Sequence, residues 1–471
     1  MKRLITLATL LQLGVANASL VAIMDSGTDI SHKDLAPKVW TNVNEKEGST
    51  VDLDNDGLPG DVHGWDFTEG EEGSLGSPNP FNDKYVSLIT PDVTKFYTLY
   101  AKYEAKTISE DELKWLKTFI SDKENANIVD FIGNYSHGTH VAGAAVLDNP
   151  NAKVLGLKVL ATVYKPVTDD SKDESKDESK DDSGSTPQGP ALTVEEFKKK
   201  IVEAGTNEAE EMVPMATLLN FHKADVVNQS FGIGFEQAVT IVGNAFVAAV
   251  QRKPTQAELV DSIVSFVVAL QKGGTKMFNA APNTLFVVAA GNDSSDNDKY
   301  PDFPASVKAS NKIAVAATNG YSELAEFSNF GATKVDVAAP GVGILSTAPA
   351  QTYMYMSGTS QAAPFVTNAI ALAKDANSKL TAADIKSIIL GTVDVKDWLK
   401  GKVATSGIVN KARVVRAAEL SKTLSVAAAI NQAKTEVADV AVPKSFARRL
   451  PGMKLDYKPI RPSLMVKIPG L

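Results

Sequence analysis

Four short stretches hold residues that could do chemistry together. "YMSGTSQAAPFV" places Ser360 between a Gly-Thr pair and a run of small residues that includes Pro364. "SHGTH" carries His137 and His140, "VAIMDSGTD" carries Asp25, and "VVAAGND" presents Asn292. A serine hydroxyl is a poor nucleophile until a base takes its proton. A neutral imidazole is such a base. A buried carboxylate fixes the imidazole tautomer and stabilises the imidazolium that forms. An amide donor and the backbone N–H of Ser360 can then receive the negative charge that develops on an attacked carbonyl oxygen. Singly, each residue has a plainer reading. Ser360 is a helix N-cap, Asp25 a turn former after a strand, Asn292 a turn residue after Gly291, and His137 a satisfied core group. Together they spell acyl transfer.

These groups must be positioned by elements that end at one place. Residues 19–25, 152–160, 225–232, 284–292, 312–318 and 334–341 read as short, mostly apolar strands. Helices are expected at about 236–252, 255–271, from Ser360 to about Lys374, and from Thr381 to Leu390. Two more lie between 90 and 128, one opened by a capping box at Ser109 and Glu112. Another starts at Thr193 and Glu196. "GNYSHGTHVAGAAVL" reads as a loop feeding a helix, with His137 near its start. Strands alternating with helices predict an α/β fold, three-layered, with a mostly parallel central sheet flanked by helices. In such folds ligands bind at the carboxyl ends of the strands.

Bulk properties narrow the class. Net charge is −8 and the pI about 5.4, which gives no electrostatic reason to bind nucleic acid. The chain has no cysteine, so disulfides, thiolate metal sites and a cysteine nucleophile are excluded. Lys2, Arg3, an apolar run and Ala16-Asn17-Ala18 form a signal-peptide pattern over 1–18, predicting export: secretion, the periplasm or the cell surface. No later stretch is long and apolar enough for a membrane helix. Residues 169–186 are acidic and low in complexity, and read as a disordered loop within about 167–190. The residues beyond 420 read as a helix followed by a basic, proline-bearing tail.

"VAIMDSGTD", "SHGTHVAG", "VVAAGND" and "MSGTSQAAP" occur in the order Asp, His, Ser, with "DVVNQSFG", "VDVAAPGVGILSTAP" and "AKVLGLKVL" around them. In this the chain resembles the subtilisin-like serine proteases (subtilases, peptidase S8) over about residues 20–395. The resemblance implies a subtilisin-like fold, with a peptidase domain over 19–420 interrupted at about 68–130. It implies Asp25 as the orienting acid, His137 as the general acid-base, Ser360 as the nucleophile and Asn292 as the oxyanion donor, with His140 structural. Removing one such donor costs roughly 10²–10³ in kcat. Ser230, Phe231 and Gly232 then form the strand edge that pairs with a substrate peptide. Ala289, Ala290 and Gly291 form a wall of the specificity pocket.

The chain departs from the family in places. Gln361 stands where a methionine is usual, and Phe365-Val366-Thr367-Asn368 where His-Val-x-Gly is common. Asp25 and His137 are 112 positions apart, so an insert is expected to rim the cleft. Between Ala18 and Asp25 there is no room for an inhibitory propeptide. In "DLDNDG", Asp52, Asp54 and Asp56 have the alternate spacing of an oxygen cage, with Asp61 a further ligand. Structural calcium is weighed there against a plain Asx-rich turn. The sequence thus predicts an exported serine endopeptidase acting on polypeptides, with no cofactor required for chemistry. It leaves the oligomeric state open. The rival readings are a catalytically silent surface-binding relative and a calcium-dependent adhesion protein.

Overall fold

Short apolar runs bounded by turn residues become strands when helices cover both of their faces. The computed structural model describes residues 18–68, 76–167, 190–442, 455 and 457. The expected leader (apart from Ala18), nearly all of the acidic loop and most of the basic tail lie outside these residues.

Among the described residues there are twelve strands. They are β1 (Leu20–Asp25), β2 (Gly64–Asp66), β3 (Lys153–Lys158), β4 (Val226–Gln229), β5 (Leu285–Ala289), β6 (Lys312–Asn319), β7 (Glu323–Leu324), β8 (Val337–Pro340), β9 (Ile344–Ala348), β10 (Thr352–Met356), β11 (Asp394–Val395) and β12 (Gly407–Ile408). Ten form one sheet in the order β11-β12-β8-β6-β5-β4-β1-β3-β2, with β7 on β6. From β2 to β12 every pairing along that order is parallel; β11–β12 and β6–β7 are antiparallel. Strands β9 and β10 form a separate antiparallel pair. The expected mostly parallel sheet is therefore present.

Alternation along each strand feeds both faces. Strand β1 sends Ala22 and Met24 into one core, and Val21 and Ile23 into the other. The first core is closed by α4 (Val194–Glu210), α5 (Val213–Phe221), α6 (Phe235–Val250) and α7 (Gln256–Ala280), through Phe197, Phe246, Phe266 and Phe278. The second is closed by α3 (Lys123–Ala145), α8 (Thr359–Ala376) and the helices at Ala382–Gly391 and Lys411–Leu420. Burying each such aliphatic or aromatic side chain contributes roughly 1.5–3 kcal/mol.

The insert before His137 has its own small core. Phe96 and Tyr100 of α1 (Pro91–Glu104) and Leu113 and Leu116 of α2 (Glu110–Ile120) pack on Val129, Ile132 and Tyr135 of α3, and on Met354 and Met356 of β10. The capping box at Ser109 and Glu112 is formed. Two tail residues join this core: the N–H of Leu455 donates to Tyr103 Oη (3.2 Å), and Tyr457 Oη donates to Asp130 Oδ1 (2.6 Å).

Three expectations are corrected. Residues 133–137 are helical, and His137 lies in the middle of α3 rather than near its start. Asp122 caps that helix, and Val129, Ile132 and Tyr135 supply an apolar stripe at helical spacing. Helix α7 runs to Ala280, through Gly273 and Gly274, where the sequence suggested a stop near 271. Both glycines sit at close approaches, to Ala209 and to Phe303, so packing overrides weak helix propensity. Pro364 lies inside α8, in its second turn rather than its first.

Candidate active site

Strand β1 neighbours both β3 and β4, so the strand order switches direction at β1. Its carboxyl end opens into the crevice that a switch point creates, and Asp25 is its last residue. Helix α3 crosses closely there. A Cβ on Gly138 would meet Gly27 O at 2.3 Å and Asp25 Cβ at 3.1 Å, so only glycine lets the helix reach the strand tip. That approach sets His137 Nδ1 2.7 Å from Asp25 Oδ1. The same oxygen accepts from the N–H of Ser26 (2.7 Å), and the Asp25 side chain is fully buried. Among the described residues Asp25 Oδ2 has no hydrogen-bond partner.

His140, one turn on, plays a different part. Its Nε2 lies 3.0 Å from the carbonyl of Ile344 and 3.1 Å from that of Met354, tying β9 and β10 to α3. Burial pushes its pKa down to about 4, so the ring is neutral.

Ser360 is the second residue of α8, with Gly358 at the N-cap, so its side chain does not cap the helix. Its Oγ donates to the carbonyl of Ser230 (3.0 Å). Among the described residues no hydrogen bond joins it to His137. Pro364 has no N–H to give the Ser360 carbonyl, which in an unbroken helix would bond residue 364. Ser230 Oγ donates to that carbonyl instead (3.0 Å) and itself accepts from Asn228 Nδ2 (2.7 Å). The proline therefore leaves an acceptor that ties the serine's backbone to the end of β4.

Asn292 follows Gly291, whose φ of +105° favours glycine. The Oδ1 of Asn292 accepts from the N–H of Thr359 (2.8 Å) and from its hydroxyl (3.0 Å). These bonds fix the amide and leave its NH₂ group with no protein partner among the described residues. The backbone N–H of Ser360 is in the first turn, where helix donors lack intrahelical acceptors. Ser230 and Phe231 are buried just past β4. Ile233, the residue after Gly232, pairs with Phe303 in both directions (2.8 and 3.0 Å). Ala289, Ala290 and Gly291 lie at the end of β5.

The structure divides the four loop aspartates. Asp52 accepts from the N–H groups of Asn55 (2.7 Å) and Gly57 (2.8 Å). Asp54 and Asp61 both accept from Asn42 Nδ2 (2.9 and 2.8 Å). Asp56 Oδ2 lies 2.8 Å from His222 Nε2, at the end of α5, and Asp61 Oδ2 lies 3.5 Å from it. Two sets of atoms gather closely enough to hold an ion: Glu45, Asp52 and Asp54, and Asp54, Asp56 and His222. Glu45 and His222 were not legible beforehand, because neither shares the loop's spacing.

Burial and the neighbouring Asp61 push Asp56 up to about 6. Burial opposes charge on His222, but hydrogen bonds and attraction from Asp61 and Asp56 outweigh it and raise the ring. Both folded values exceed their unfolded ones. The stability these groups add is therefore present at low pH and lost as pH rises, through about 4–6 for Asp56 and above about 6.5 for His222. Thermal melts from pH 5 to 8 should accordingly show the wild type losing ground to an Asp56→Asn/His222→Gln variant; parallel curves would deny the coupling.

A doubly covered parallel sheet, a buried carboxylate–imidazole pair at its switch point, and a serine at a helix start beside a free amide define the architecture of the subtilisin-like class. Residues 16–412 match the model of the subtilase family (Peptidase_S8), and the chain belongs to that family. It is 37% identical over 151 residues to thermitase of Thermoactinomyces vulgaris, covering 29% of this chain and 51% of that one. It is 31% identical over 300 residues to an extracellular protease of Xanthomonas campestris, covering 60% of this chain and 40% of that one. The chain thus spans about half or less of the length of these relatives. A cold-adapted subtilisin-like serine proteinase aligns over 84% of this chain and 88% of its own, at 17% identity and a TM-score of 0.42.

Proposed function

We propose that the protein is an exported serine endopeptidase. The observation that carries this is the 2.7 Å Asp25–His137 hydrogen bond, formed across 112 positions at the end of β1, the neighbour of β4, beyond which Ser230 accepts from Ser360 Oγ. In the reaction, Ser360 Oγ turns from the Ser230 carbonyl toward His137 Nε2. Hydrogen bonds in free enzymes often tighten only in the complex. The oxygen attacks the scissile carbonyl as its proton passes to Nε2, while Asp25 holds Nδ1–H. The carbonyl oxygen becomes an oxyanion held by Asn292 Nδ2 and the Ser360 N–H. Collapse expels the amine, which takes the proton from His137. Water then attacks the acyl-enzyme by the same route, with His137 as base.

Export is supported by the leader pattern over 1–18; among the described residues no helix is long and apolar enough to cross a membrane. Purified protein should hydrolyse casein and take up a fluorophosphonate probe. Absence of both activities in a folded sample would favour the silent binding relative instead.

We also propose that the Asp52–Asp61 loop holds a structural calcium. The second set contains a nitrogen, which suits calcium poorly, so Glu45, Asp52 and Asp54 are its natural ligands. Bound calcium stabilises the folded state by mass action. Chelation should lower Tm by about 5 °C, restored by calcium. An unchanged Tm would leave the loop as a set of Asx turns.

A further inference from the structure

A buried acidic side chain lies between the two edges assigned to the substrate. Asp302 is 5% exposed. A Cβ built on Gly291 would lie 2.7 Å from its Oδ2, and one on Gly232 3.2 Å from its Oδ1. One carboxylate therefore touches the glycine of each wall, directly before Asn292 on one side and in the peptide-pairing segment on the other. The backbone locks it there. Phe303 pairs with Ile233, the Asp302 N–H donates to Ser306 Oγ (3.1 Å), and Gln271 Nε2 donates to the Asp302 carbonyl (3.3 Å).

The Ala305 N–H hydrogen-bonds the carboxylate but brings no full charge to it. Among the described residues no lysine, arginine or histidine forms an ion pair with Asp302. Lys312, whose charge acts on it, is turned onto the Ala305 carbonyl and lies 3.9 Å from Asp336. Asp293 adds a second negative charge from the rim: its Oδ2 is 2.7 Å from a Cβ on Gly234, whose other neighbour is Asp302 Oδ2 at 3.7 Å. Burial, reinforced by Asp293, raises the Asp302 pKa well above the usual carboxylate range. A buried carboxylate without a counter-ion is costly, and a cation entering from outside removes that cost.

We propose that Asp302 is a specificity-determining residue that selects lysine or arginine at P1, the residue whose carbonyl Ser360 attacks. The inference rests on the serine-peptidase reading and names the substrate class of that same site.

The test uses the full chain and matched fluorogenic peptides that differ only at P1 (Lys, Arg, Phe, Leu, Glu), with fluorophosphonate labelling to count active sites. Lys and Arg should exceed Phe by about tenfold or more in kcat/KM. Asp302→Asn should lower kcat/KM for P1 Lys about 10²-fold and leave P1 Phe within about threefold. A labelled Asp302→Asn variant with an unchanged P1 profile overturns the assignment and leaves the peptidase intact. If the variant does not fold, the wild-type profile decides, and a preference for Phe over Lys overturns it. Protein that neither labels nor cleaves any peptide overturns the peptidase reading itself, and this assignment with it.

Discussion

Ser360→Ala should remove fluorophosphonate labelling and lower kcat for peptide hydrolysis by about 10⁶-fold, the magnitude found on removing subtilisin's nucleophilic serine. The variant should fold as the wild type does. Among the described residues Ser360 Oγ makes one hydrogen bond, to the Ser230 carbonyl, and the backbone that holds the α8 start is untouched: Ser230 Oγ still donates to the carbonyl of residue 360. Alanine also has the higher helix propensity. Labelling with a fluorophosphonate and a thermal melt on the same samples check both halves. Equal labelling of wild type and variant would place the nucleophile elsewhere and end the mechanism.

Asp25→Asn tests the other end of the relay and should cost about 10⁴-fold in kcat, or about 5.5 kcal/mol of barrier. The wild-type Oδ1 accepts from Ser26 N–H and faces His137 Nδ1, so the ring carries its proton on Nδ1 and keeps Nε2 free as a base. Both partners share that one oxygen, so an asparagine that sets its NH₂ there donates to Nδ1 and gives up the Ser26 N–H bond. The imidazole then adopts the other tautomer, with Nε2 protonated and unable to take the serine proton. The isosteric change fills the same volume, which keeps the contact with Gly138. The predicted signature is a fall in kcat with little change in KM, measured on one peptide across pH. A loss of less than tenfold would mean that Asp25 serves the fold and not the base.

Much of this architecture is legible in the chain. Strands β1, β4, β5, β6 and β8 are short apolar runs that reach Asp, Ser, Gly or Asn at or within two residues of their ends, and strand pairing over both faces requires little more than that pattern. The capping boxes at Ser109, Thr193 and Thr381 announce their helices because the reciprocal bonds are local. The four motifs point to Asp25, His137, Ser360 and Asn292 because each stretch is contiguous.

Other features were not legible, for one physical reason: they arise from contacts between segments far apart in the chain. The long run of α3 through His137 depends on an apolar stripe that meets α1, α2 and β10. The continuity of α7 through two glycines depends on what those glycines touch. His222 meets Asp56 from 166 positions away, and Ser230 braces Ser360 across 130. The chain by itself determined which residue types were available for acyl transfer and the order of the elements that carry them. Only the tertiary structure decided their company, including the placement of the Asp302 carboxylate between two glycines, because side-chain neighbours are set by packing across the sheet and not by spacing along the polymer.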